Sequence, residues 1–125
     1  MLTPEEIYIS DYTELFLDLY RFGNSDSPRF DHIRPLKDAK IENRNGVKYI
    51  IADGNGVSAF SSVTKGKKNT WRIRKGAPIP VGVKLVIDKR KGHEKHYMFA
   101  PSWTMKLSEF HVLMDKIREY SIKVS

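Results

Sequence analysis

Three short pieces of this chain carry side chains whose types suit a common chemistry. Leu19-Tyr20-Arg21 ends an apolar run on a guanidinium. Gly56-Val57-Ser58-Ala59-Phe60 sets a hydroxyl just after a glycine turn, and His96-Tyr97 opens a later apolar run with an imidazole beside a basic loop. A guanidinium offers a fixed fork of donors to a diphosphate or a ribose. A small hydroxyl orients a sugar, and an imidazole gives or takes a proton near neutral pH. That mixture suits scission of the glycosidic bond of NAD+, in which nicotinamide leaves neutral and positive charge builds on the ribose. Taken singly, each residue also has a plainer role: Arg21 as a surface arginine, Ser58 as a turn serine, His96 as a strand histidine with its hydrogen bonds met.

Other chemistries find less in the sequence. His32, His93, His96 and His111 show no helical i, i+4 pair with a carboxylate between them, so no zinc motif is present. There is no cysteine, which removes disulfides, thiolate metal sites and cysteine nucleophiles. GxSxG and Walker motifs are absent, and a Ser-His-Asp triad is recognised by geometry, not by order along the chain. Basic residues interleave with Trp71, Tyr97, Phe99 and Trp103, the ingredients of a single-strand nucleic-acid groove. A basic RNA-binding module is therefore the alternative reading, although the same aromatics also serve to fill the core of a sheet.

The elements that must position these groups are mostly strands. Thr3-Pro4-Glu5-Glu6 reads as the start of a short helix, with Glu6 at the capping-box position. Leu15 to Phe22 reads as a strand ending at Gly23, and residues 24–40, with Pro28 and Pro35, as a long loop. Val47 to Ala52 is a strand, Asp53-Gly54-Asn55-Gly56 a turn, and Val57 to Phe60 a strand or a strand-to-helix junction. Trp71 to Ile73 is a short strand. Val83 to Asp88 and His96 to Ala100 flank a charged loop as an antiparallel pair, which Pro101 breaks. Leu107, Phe110, Leu113 or Met114, Ile117 and Tyr120 share one face of a final helix. Strands followed by a helix give an α+β class in a single domain spanning residues 1–125.

The net charge is +7, a field that attracts nucleic acid, phosphate-bearing small molecules or an acidic protein. Five acids and no base occupy the first twenty residues, whereas bases crowd KGKKNTWRIRKG and DKRKGHEK. The N-terminus has neither the basic nor the apolar region of a secretory signal, and no apolar run is long enough for a membrane span. Action in a cytoplasm is expected, with or without export by a route that needs no signal peptide.

The order of pieces L-Y-R, P-R-F-D-H-I-R-P, D-G-N-G-V-S-A-F, I-P-V-G-V-K-L, H-Y-M-F-A-P and M-K-L-S-E-F resembles the type VI secretion effector two toxins over about residues 17 to 118. These are small bacterial cytotoxins with an ADP-ribosyltransferase-like fold. The resemblance implies a split antiparallel β-sheet core with a C-terminal helix and a short N-terminal helix. It further implies an NAD-dependent cleft with Arg21, Ser58 and His96 as catalytic residues. NAD would be bound by Arg21, Arg29, His32, Arg34, Ser58, Phe60 and Tyr97, and Val57 stands where a related toxin has a threonine. It implies, too, an immunity or antitoxin protein, acidic to match the basic chain, that blocks the cleft. One departure bears on the reaction. Many ADP-ribosyltransferases carry a glutamate pair on a late strand; this chain has none, and Glu94 is the only acid near that place. Hydrolysis of NAD+ is then as open as transfer of ADP-ribose.

Overall fold

Alternation of apolar and polar side chains lays ten short segments of the chain out as strands, and only the region after Lys106 carries the three- and four-residue spacing of a helix. The computed structural model describes residues 1–125. Its strands are β1 (Ile7–Ser10), β2 (Leu19–Phe22), β3 (Ile41–Arg44), β4 (Val47–Ile50), β5 (Val57–Phe60), β6 (Thr70–Ile73), β7 (Val83–Asp88), β8 (His96–Pro101), β9 (Met105–Lys106) and β10 (Ser121–Lys123). The one α-helix, α1, is Leu107–Arg118. Seven strands form a sheet in the order β1-β7-β8-β5-β2-β6-β10, and β3-β4-β9 form a second, smaller one. Every ladder between these strands is antiparallel, so the class is α+β, mostly antiparallel sheet with a C-terminal helix. No helix is long and apolar enough to cross a membrane.

One face of the large sheet is the core. Leu19, Val57, Ala59, Ile73, Leu85, Tyr97 and Phe99 point inward and meet Phe110, Met114 and Ile117 of α1 together with Ile50 and Met105 of the small sheet. The period-2 rule then sends the alternate residues outward. On that outer face lie a small apolar cluster of Ile7, Val86, Met98 and Ala100 and, further along β5 and β8, Ser58, Phe60 and His96.

Several sequence expectations change. The strand expected from Leu15 is formed only from Leu19, because Leu15 is drawn out of line to bond the backbone of Gly76 and Ala77 and fill the core. The expected N-terminal helix is a three-residue 3₁₀ turn, Pro4–Glu6, although Thr3 N–H does donate to Glu6 Oε2 at 2.8 Å. Val57 to Phe60 is a strand throughout. Pro101 does not break β8; it is the last residue of the strand, opposite Val83. Tyr120 lies beyond α1 and is exposed, since the chain turns back as β10 to pair with β6. The hairpin β3–β4 carries an Asn45-Gly46 turn with positive φ at both residues, the two-residue signal that precedes Val47 in the sequence.

The turn before β5 fixes where Ser58 sits. The Asn55 side chain accepts from Leu2 N–H at 2.7 Å and donates to Leu2 O at 2.9 Å, tying the turn to the N-terminus. A Cβ on Gly56 would overlap the Phe99 carbonyl and come within 2.8 Å of Ala100 Cα, so β5 approaches β8 as closely as glycine allows. Gly56→Ala is expected to lower stability by about 2–3 kcal/mol by forcing these strands apart. An unchanged urea midpoint would show that the approach is not tight.

Candidate active site

The outward residues of β5, β7 and β8 meet in one line of hydrogen bonds. In the β7–β8 register Ile87 faces Tyr97, which brings Asp88 and His96 together at the end of the hairpin. His96 Nδ1 lies 2.8 Å from Asp88 Oδ2, and His96 Nε2 lies 2.9 Å from Ser58 Oγ. Asp88 is 2 % exposed. Burial opposes its ionisation, but hydrogen bonds from Arg90 and His96 and the charge of Arg90 outweigh that, and its pKa falls far below the ordinary carboxylate range. An ionised carboxylate only accepts, so Nδ1 carries the proton; in the neutral ring Nε2 is then the acceptor for the Ser58 hydroxyl. Arg90 holds the carboxylate from the other side through Nε and Nη2, at 2.8 Å for the shorter pair.

Rings stack on the same face. Phe60 lies over His96 with centroids 5.3 Å apart, and Phe22 continues the stack 6.0 Å from Phe60. Lys67 Nζ stands 4.6 Å from the centre of the Phe22 ring. Beside the stack opens a cleft of about 310 Å³, lined by Arg21, Phe22, His32, Arg34, Asp38, Ser58 and Phe60. Such a volume is at the lower end for small-ligand sites.

The cleft exists because the sheet parts here. β2 and β5 share a single bridge, Tyr20 with Phe60. Beyond it Arg21 Nη1 donates to Ser58 O at 2.7 Å, in place of a strand partner. The same guanidinium donates from Nε to Pro28 O at 2.9 Å and from Nη2 to Arg29 O at 2.8 Å and to His32 O at 3.5 Å. Burial lowers its pKa to about 10, against the opposing charges of Asp38 and Asp31, so it remains a cation at neutral pH. Arg29 has a left-handed backbone, φ 57°, a conformation that costs about 1 kcal/mol in a residue with a Cβ.

The residues expected to gather do so in part. Arg21, Ser58, His32, Arg34 and Phe60 line the cleft, with His96 directly behind Ser58. Arg21 does not present a free fork; most of its donors are spent on the 28–32 loop, leaving one Nη1 proton without a protein acceptor. Arg29 reaches its side chain to Asp31 and lines a separate hollow with Asp115 and Arg118. Arg34 is paired with Asp38 through Nε and Nη2. Tyr97 is not in the cleft: it alternates with His96 and is buried in the core. Phe99 is buried with it, and Trp71 is tied to Asn24 O, so neither joins an open stacking platform. Asp88, Phe22, Asp38 and Arg90 went unread as site residues in the sequence, and Lys67 enters there, with Lys65 and Lys68, only as a base for the RNA-binding alternative. Asp88 had a signal, as the last residue of an alternating strand that a charged loop returns to His96. Neither a protein-family model nor a curated protein matches the chain.

Arg21→Lys is expected to speed amide exchange across residues 28–32, because one ammonium cannot span carbonyls on both sides of the cleft. Protection equal to the parent's would remove the strap. Asp88→Asn tests the other anchor. A depressed carboxylate contributes stability that is full above its unfolded pKa of about 4 and drains as pH falls through the folded value. The variant is expected to be about 2 kcal/mol less stable near neutral pH and to lose less on acidification. Urea melts from about pH 7 to about pH 3 check this, and parallel curves for the two proteins would contradict it.

Proposed function

We propose that the protein is a bacterial toxin with an ADP-ribosyltransferase-like fold, which cleaves the nicotinamide glycosidic bond of NAD+ and is held in check by an acidic immunity or antitoxin protein. The observation that carries this is the hydrogen-bonded line Asp88–His96–Ser58 ending at a cleft that a buried arginine holds open between two strands. Two antiparallel sheets against one helix support the fold assignment, as does the order of sequence pieces given above.

The residues fit this substrate. The Phe60 and Phe22 rings line the cleft and offer nicotinamide an apolar wall. Ser58 lines the cleft beside these rings, and we assign it to the ribose. Lys67, over the Phe22 ring that lines the cleft, supplies a cation for a diphosphate, whereas Arg34 is engaged by Asp38. Arg21 acts as a positioning residue: it fixes Ser58 from the backbone side and the loop from the other. The basic charge of the whole chain draws in the dinucleotide and suits an acidic protein laid over the cleft.

Purified protein is expected to release nicotinamide from NAD+, and Ser58→Ala and His96→Ala each to slow this by about 100-fold or more while remaining folded by circular dichroism. Induced expression is expected to arrest growth as cellular NAD+ falls. Folded protein that releases no nicotinamide, in cells whose NAD+ is undiminished, would refute the reading.

A further inference from the structure

Resting on that reading, we infer that Ser58 is the nucleophile of the reaction and that the chain breaks NAD+ by two successive displacements through an ADP-ribosyl-Ser58 intermediate. Three observations lead there. Ser58 lines the cleft and its hydroxyl reaches His96 Nε2, so the residue that borders the ligand space is the one the base can activate. The base is itself oriented, because Asp88 accepts a hydrogen bond from Nδ1–H and is in turn gripped by Arg90. A hydroxyl, an imidazole and a buried carboxylate at 2.9 Å and 2.8 Å form the arrangement that activates a serine.

The third observation concerns carboxylates. Asp38 is the one acid lining the cleft, and it accepts from the Arg34 backbone N–H, Nε and Nη2. Glu94 bonds to Gly92 N–H in the exposed hairpin loop. Neither is free to balance positive charge on the ribose. An oxygen that becomes anionic as it attacks supplies that balance, and Ser58 is the oxygen placed to do so.

The steps balance. Ser58 Oγ bonds to C1′ of the nicotinamide ribose while the C1′–nitrogen bond breaks, its electron pair leaving with neutral nicotinamide. The hydroxyl proton passes to His96 Nε2, and Asp88 stabilises the imidazolium. Water then bonds to C1′ as the Oγ–C1′ bond breaks. Ser58 recovers its proton from His96, and the second proton of the attacking water goes to solvent. Each displacement inverts C1′, so the product retains the configuration of NAD+.

Two measurements on the full chain test this. A fluorophosphonate probe is expected to label Ser58, and Asp88→Asn to slow labelling at least about tenfold without loss of fold by circular dichroism. Turnover of NAD+ in aqueous methanol by the unmodified protein is expected to give the methyl glycoside with retained configuration, and rapid quenching to reveal one ADP-ribose on Ser58. Nicotinamide release with inverted glycoside and no labelling overturns the nucleophile while the NAD+ reading survives. Labelled Ser58 with no nicotinamide release overturns the NAD+ reading and this step with it, and directs the activated hydroxyl to acyl or phosphoryl substrates.

Discussion

A buried guanidinium holds this molecule's cleft open. Beyond their one bridge β2 and β5 separate, and backbone groups that leave a ladder without water or a partner are costly. Arg21 meets that demand for the Ser58 carbonyl and, with its remaining donors, binds carbonyls of residues 28, 29 and 32. Burying the charge is itself unfavourable, as its lowered pKa records. It is tolerated because the donors are nearly all satisfied, Phe30 lies under the guanidinium with its ring centre 5.7 Å away, and Asp38 and Asp31 oppose the desolvation. The left-handed turn at Arg29 is stable on the same account, since both neighbouring carbonyls are anchored.

The second anchor is a charge of opposite sign at the far side of the site. Asp88 ends β7 on the outer face, where it is closed in by the β7–β8 hairpin. Its bonds to Arg90 and His96 keep it ionised despite burial, and that ionisation decides the tautomer of His96. Arg21 thus governs the backbone of Ser58 and Asp88, through the ring, governs its hydroxyl. Neither group touches a ligand in order to do this. The geometry about Ser58 is set by two charged groups, one on either side of a serine that is itself uncharged.

Charge in the cleft and in the hollow beside it is largely paired off. Arg34 with Asp38 and Arg29 with Asp31 form local ion pairs at the surface, worth little to stability individually. What they leave unpaired near the stack is Lys67. The polar work of the site therefore falls on few atoms: one hydroxyl, one imidazole, one ammonium and one spare N–H of Arg21.

The sequence by itself determined the class and much of the order of elements. Alternation in residues 83–88 and 96–100 named the hairpin, the three- and four-residue steps of Phe110, Met114 and Ile117 named the helix face, and glycines marked the turn before Ser58. These are local signals, written in periodicity and turn chemistry. The choice of Arg21, Ser58 and His96 came from residue type and from a resemblance, and their convergence depended on strand order, which places β5 between β2 and β8. Only the tertiary structure decided the rest. Strand pairing set Asp88 opposite His96, alternation about that pairing turned Tyr97 into the core, and the separation of β2 from β5 turned Arg21 from a ligand clamp into a strap. Each of those outcomes depends on which backbone groups find partners across distances of tens of residues, and local residue type and spacing do not reveal that pairing.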